Sequence, residues 1–272
     1  MPYTKLTPRF TPDAGVEEIS SGSAYRLSIS AGSAQKYRLA QLDDYTQIPR
    51  SRFPLRFPLN FSLRARVSSN SIPGTWGFGL WNDPFGLSLG FGGNPFRLPA
   101  LPNALWFFGA SKESYLSFKE PLRPKQRHAI AANGFIAQTF RAPKFHLLLI
   151  LVGLAFPFSR KLTRRMLGKV IDEDGLQLSD HEVQQQAIGV QSQGVDPTQW
   201  HRYRLEWRDR RVRFEVDDIQ VFESSVSPRP PLGLVIWLDN QYAAFTPEGK
   251  IGFGVLENPG PAWLEIKELE VG

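Results

Sequence analysis

Residues Trp200–Val216, WHRYRLEWRDRRVRFEV, decide the fold. In the first half Tyr203, Leu205 and Trp207 alternate with Arg202, Arg204 and Glu206. In the second half Val212, Phe214 and Val216 alternate with Arg211, Arg213 and Glu215. A period of two means two β-strands, each with one apolar and one charged face. Asp209 between them supplies turn chemistry. A hairpin of this kind must lay its apolar side on another sheet, so a two-layer β-structure follows.

Composition agrees. The chain has 272 residues, 42% of them hydrophobic, with 22 Pro and 23 Gly, as a turn-rich β-protein requires. There is no cysteine, so disulfides and thiolate metal sites are excluded, and a reducing, cytoplasmic setting is the expectation. The first residues, MPYTKLTPRFTPDAG, lack the apolar core of a secretory signal. The longest apolar run, His146–Phe158, has thirteen positions. A bilayer-crossing helix needs about twenty.

Charge is concentrated. No acid occurs between Glu120 and Asp172, where ten cations fall; because the chain totals +6, the remainder is −4. The basic character belongs to one segment and implies a local anionic partner.

Along the chain, residues 1–22 read as an irregular lead-in. Strands are predicted at 24–30, 36–42, 60–67, 76–81, 86–91, 103–109 and 114–118, with turn signals between them. The pattern breaks at 141–196 and resumes with the hairpin, then 219–223, 233–238, 249–255 and 263–270. Within the break, Ser159 caps a predicted helix that puts Leu162, Met166 and Val170 on one face and Arg160, Lys161, Arg164, Arg165 and Lys169 on the other. Ser179 and Glu182 form a capping box for a second short helix. The expectation is one domain, 1–272, carrying a basic, apolar, helical insertion at 141–196.

Three stretches carry a resemblance to a known family. They are WHRYRLEWRDRRVRFEVDDIQVF, SLRARVSSNSIPGTWGFGLWNDP and the closing AWLEIKELEV. They resemble the concanavalin A-like lectin/glucanase superfamily, particularly the laminarinase and lichenase group of glycoside hydrolases (family 16). The resemblance implies an all-β jelly-roll sandwich of two antiparallel sheets, one of them concave and able to bind a ligand. That group carries Glu-x-Asp-x-x-Glu on a concave strand, placing nucleophile and acid about 5 Å apart. The corresponding stretch here, Asn103–Gly109, has no carboxylate, and Glu113 and Glu120 do not reproduce the spacing. Glu265 and Glu268 read as solvated outer-face residues. Double displacement of the laminarinase type is not expected.

Four histidines, His128, His146, His181 and His201, lack metal-ligand spacing, so no metal and no cofactor are expected. Trp76, Trp81, Trp106, Phe108, Trp237 and Tyr242, with Asn82 and Asn240 nearby, are the candidate ligand contacts on the concave sheet. Asp83 and Asp239 are the acids to which a catalytic role would fall first. In the insertion, Leu148, Leu151, Phe156 and Phe158, with the five cations of the helix, have the composition of an interfacial membrane element.

The reading is therefore a protein peripheral to the inner face of a membrane. It holds an apolar or amphipathic ligand (lipid, glycolipid or isoprenoid-like) in its concave face, with or without chemistry upon it. A carbohydrate-binding, lectin-like protein is the first alternative, and a glycoside hydrolase with displaced acids the second. No nucleic-acid-reading module is present, and the oligomeric state is left open.

Overall fold

The computed structural model describes residues 6–20, 24–84, 100–115, 117, 133–143, 170–178, 194–245 and 251–272. Sixteen strands run along them: β1 (Thr7–Phe10), β2 (Ala14–Ser20), β3 (Ala24–Ile29), β4 (Leu39–Asp43), β5 (Leu59–Val67), β6 (Thr75–Trp81), β7 (Ala104–Ala110), β8 (Gly134–Arg141), β9 (Asp172–Gln177), β10 (His201–Arg208), β11 (Arg211–Val216), β12 (Ile219–Ser224), β13 (Gly233–Asp239), β14 (Gln241–Phe245), β15 (Ile251–Val255) and β16 (Ala262–Val271). A front sheet has the order β1-β4-β13-β6-β7-β8-β9, a back sheet the order β12-β11-β10-β5-β16-β3-β2, and β14-β15 form a separate ribbon. All pairings within the sheets are antiparallel.

The hairpin lies in the back sheet with Tyr203, Leu205 and Trp207 opposite Val216, Phe214 and Val212. All six side chains are buried. They meet Phe78, Leu105, Phe107, Leu234 and Ile236 of the front sheet in one core. Phe107 packs on Tyr203 at 4.9 Å and on Phe214 at 5.4 Å between ring centroids. Burying each such side chain contributes about 1.5–3 kcal/mol.

The back sheet's outer face is charged, as the alternation requires. Glu265, expected there as a solvated residue, is instead buried: Arg26 donates to one carboxylate oxygen and Arg66 to the other. Trp263 and Trp200 flank the cluster, with the Arg66 guanidinium 4.9 Å from the Trp200 ring and Lys267 4.5 Å from it. Glu268 is exposed, as expected.

Three expectations need correction. The lead-in contains β1 and β2; both are edge strands, half exposed, so their alternation is weak. β8 was missed because Phe135 and Ala137 enter the core between the sheets while Ile136 and Phe140 pack on the other face, which erases the period of two. The interval 141–196 is also not wholly an insertion, since β9 lies inside it and extends the front sheet. The predicted helices, the strand at 86–91 and the membrane-contact residues Leu148, Leu151, Phe156, Phe158, Arg160, Lys161, Arg164, Arg165 and Lys169 lie outside the described residues. Among the described residues no helix is long and apolar enough to cross a membrane.

Candidate functional site

The front sheet has a second apolar face, turned away from the core. Register places Trp237, Gly77, Phe108 and Ile136 in one row across β13, β6, β7 and β8. Val235, Gly79, Trp106 and Gln138 form the next row, and Gly233, Trp81, Ala104 and Phe140 the third. Directly opposed residues share a face, so these side chains stand together.

The glycines shape it. A Cβ on Gly77 would come within 2.7 Å of the Trp237 ring, and one on Gly79 within 2.7 Å of Trp106 Cα. Bare backbone at these positions lets the two indoles lie close on the sheet. Trp81 and Trp237 are stacked, 3° from parallel at 6.0 Å, and Trp106 lies 5.7 Å from Trp237 and 5.6 Å from Phe108. Trp106, Phe108 and Trp237 are buried, whereas Trp81 is half-buried.

Polar groups ring this platform and bond among themselves. Trp106 Nε1 donates to Gln138 Oε1 at 3.3 Å, and Gln138 Nε2 to Glu173 at 3.2 Å. Gln41 Nε2 donates to Asp43 at 2.7 Å and to Tyr45 Oη at 3.2 Å. Trp237 Nε1 donates to Thr75 Oγ1 at 3.0 Å, and Thr75 Oγ1 to Asp239 at 2.7 Å; Tyr37 Oη donates to the other Asp239 oxygen at 3.2 Å. Burial pushes the Asp239 carboxyl up to about 6, against the pull of donors from Thr75, Gln241 and Tyr37. Burial and the Asp239 charge together raise the Tyr37 phenol well above its ordinary range.

The expected ligand contacts divide. Trp81, Trp106, Phe108 and Trp237 share the face. Trp76 does not: one residue out of phase, it enters the core between the sheets and stacks on Phe135 at 5.0 Å. Tyr242 belongs to the β14-β15 ribbon, its ring lying over Gly254. Asn240 is fully buried as a pin, accepting from Arg38 N and donating to the carbonyls of Lys36 and Leu256. Asn82 likewise ties Leu101 and Asn103.

Asp83 and Asp239 stand at opposite ends of β6. Asp239 pairs with Thr75 at its start, and Asp83 follows its end at Trp81. At ~3.3 Å per residue the strand from Thr75 to Trp81 alone separates them by roughly 20 Å, beyond the carboxylate separations of two-acid glycoside hydrolysis. Sequence reading missed Gln41, Asp43, Tyr45, Thr75, Gln138 and Glu173. Only the polar beat of Gln41 and Asp43 against Ala40 and Leu42 could have signalled the first pair. No cluster of histidine, aspartate and glutamate among the described residues could hold a metal. His201 instead braces the hairpin, with Nδ1 2.6 Å from Asp217 and Nε2 3.0 Å from the Asp196 carbonyl.

Two stacked, seven-stranded antiparallel sheets make the fold an all-β sandwich. Similar solved structures include a legume lectin-like domain from Entamoeba histolytica, with a TM-score of 0.47, 7% identity and coverage of 98% of this chain and 89% of that one. A family 16 glycosyl hydrolase from Mycobacterium smegmatis has a TM-score of 0.42, 12% identity and coverage of 99% and 92%. A GlcNAcα1-4Gal-releasing endo-β-galactosidase from Clostridium perfringens has a TM-score of 0.46, 12% identity and coverage of 98% and 58%. These likenesses concern architecture. No family model and no curated protein matches the chain.

Proposed function

We propose that the outer face of the front sheet holds the apolar part of an apolar or amphipathic ligand. One observation carries this reading. Four aromatic rings pack on that face while Gln41 and Asp43, Thr75 and Asp239, and Gln138 and Glu173 hydrogen-bond in pairs beside them, which suits a greasy partner better than a hydroxyl-rich one. The protein is proposed to be cytoplasmic and peripheral to an anionic leaflet, a part that rests on the sequence of 146–169. Mass spectrometry of solvent extracts from purified protein tests the ligand. A stoichiometric lipid-like molecule, lost in Trp81→Ala, is expected; extracts free of any such molecule would refute the reading. Flotation with anionic liposomes tests the membrane part. Equal recovery after reversing the charges of Arg160, Lys161, Arg164 and Arg165 would refute it.

A second reading, carbohydrate binding, is favoured by a different place. A cavity of about 440 Å³ at the end of the sandwich is lined by Asn70, Ile72, Trp76, Ser111, Phe135 and Asp196, among others. Ser111 Oγ is buried there without a partner. Aromatic walls, an amide, a carboxylate and an unused hydroxyl suit a neutral sugar ring. Glycan binding abolished by Asn70→Ala, with no lipid retained, would support this reading over the first.

A further inference from the structure

Three of the four buried indoles among the described residues have an acceptor in plain view. Trp106 donates to Gln138, Trp207 to the Pro228 carbonyl and Trp237 to Thr75. Trp76 is buried to the same degree, 5% exposed, yet its Nε1–H donates to no other group among the described residues. A buried indole N–H ordinarily finds a partner. This one is not sealed in, so it opens on the cavity of about 440 Å³ that Trp76 lines.

The donor is held in place. The Trp76 ring stacks on Phe135 at 5.0 Å, and its N–H edge lies over Gly109, where a Cβ would come within 2.2 Å of Nε1. Gly109 is directly opposite Trp76 in the β6-β7 pair, and its bare backbone leaves that edge clear. Ser111 follows two positions on, roughly 7 Å along the chain, and lines the same cavity. Its N–H donates to the Gly74 carbonyl and its carbonyl accepts from Ser114 N, while its buried hydroxyl has no partner. Unsatisfied groups of this kind cost free energy that a bound acceptor relieves.

The mouth differs in kind. Asn70 and Asp196 are exposed there and hydrogen-bonded to each other. Thr198 donates its hydroxyl and its N–H to the Asp196 carboxylate, at 2.7 and 3.0 Å, and these bonds hold the group below its ordinary range. At neutral pH it is therefore an acceptor only, and with about four lone-pair sites it has room for one more donor. No arginine or lysine lines the cavity among the described residues, and Ile72, Phe135 and Val195 supply an apolar wall.

Donors inside, an apolar wall and an acceptor at the mouth are the complement of a secondary amide that carries a methyl group. We propose that this cavity takes the acetamido group of an N-acetylated sugar. Its carbonyl oxygen accepts from Trp76 Nε1–H, with the Ser111 hydroxyl as a second donor in the same wall. Its methyl lies against Ile72 and Phe135, and its N–H donates to Asp196 at the mouth, where the sugar ring stands. A plain hydroxyl would bring a donor of its own against the apolar wall. A carboxylate would meet the charge of Asp196, and an ammonium group the indole N–H. The proposal rests on the carbohydrate reading of this cavity and adds the substituent that enters it.

N-acetyl-D-glucosamine and D-glucose, titrated into the full chain, test it through the proton–nitrogen NMR spectrum of the tryptophan indoles. The Trp76 signal is assigned by its loss in Trp76→Phe, which keeps a ring against Phe135. It is expected to move with N-acetyl-D-glucosamine, which should bind roughly tenfold tighter than glucose or more. Trp76→Phe should remove most of that advantage. Ser111→Ala deletes a hydroxyl that bonds to nothing, so it should keep or raise the thermal midpoint while weakening the acetylated sugar. N-acetylglycinamide, an acetamide without a sugar, should bind more weakly than N-acetyl-D-glucosamine; a tie would overturn the sugar part of the proposal. Equal affinity for the two sugars, or an indole signal that stays in place as the acetylated one binds, would overturn the acetamido assignment while leaving carbohydrate binding standing. Binding of neither sugar would overturn the carbohydrate reading as well.

Discussion

The Trp237 indole N–H donates to Thr75 Oγ1 at 3.0 Å, across the β13-β6 pair. The same hydroxyl donates onward to Asp239, so the orientation of a platform ring is coupled to a buried carboxyl. Burial raises that carboxyl from 3.8 to about 6. The folded chain therefore holds this proton more tightly than the unfolded one. The contribution is fully present below pH ~4 and is lost as pH rises through about 6, on the order of 3 kcal/mol in all. Asp239→Asn should flatten the stability profile across this window, as measured by urea denaturation at several pH values. A slope identical to that of the parent would contradict the assignment.

Glu265 predicts the opposite slope. Burial pushes its carboxyl up, but the hydrogen bonds from Arg66 and Arg26 outweigh this and hold it below its ordinary 4.5. Its contribution is present above that value and is lost as pH falls through the lowered one. Glu265→Gln should cost about 1–3 kcal/mol at neutral pH, less than a fully buried pair because both arginines are part-exposed. A neutral-pH stability equal to the parent's would show that the clamp contributes nothing.

Gly77 should not tolerate a methyl group. An added Cβ would meet the Phe107 carbonyl oxygen at 2.5 Å as well as the Trp237 ring. Gly77→Ala is expected to lower stability by about 1–3 kcal/mol and to alter the near-ultraviolet circular dichroism of the tryptophans. An unchanged spectrum would mean that the indole does not rest on this glycine.

The turn joining β11 to β12 holds Asp217 and Asp218 at φ 50° and 63°. Left-handed backbone at both central positions is the hairpin geometry that favours glycine at the second. Asp217 is committed, accepting from Arg202 N and bonding His201. Asp218 has only an exposed pair with Arg202 at 3.6 Å. Asp218→Gly should therefore stabilise the protein by about 0.5–1 kcal/mol in thermal or denaturant unfolding. Destabilisation would mean that the exposed pair outweighs the strain.

How much of this could be read from the chain depended on whether each strand has one wet face. Tyr203, Leu205 and Trp207 alternate cleanly because the opposite face of β10 meets solvent, so the hairpin and its sandwich were plain. β8 is apolar on both faces, and β1 and β2 are half exposed at sheet edges; none of the three shows a usable period. At the site, Trp81, Trp106, Phe108 and Trp237 were found as aromatics, but phase decided their fate. Trp76, one step out of register with Trp81, points into the core. Asn240 and Asn82 looked like ligand contacts because buried amides that tie loops have the same composition as amides that grip ligands.

The place of β16 has a consequence for how the molecule comes together. Residues 262–271 slot between β3 and β5, so without them the back sheet is two fragments, each offering a bare row of amides and carbonyls. Until that strand arrives, the halves are templates for stray strands from other chains. A nascent or truncated chain lacking it would be prone to clump, and late insertion of this one segment turns a sticky assembly into a closed one.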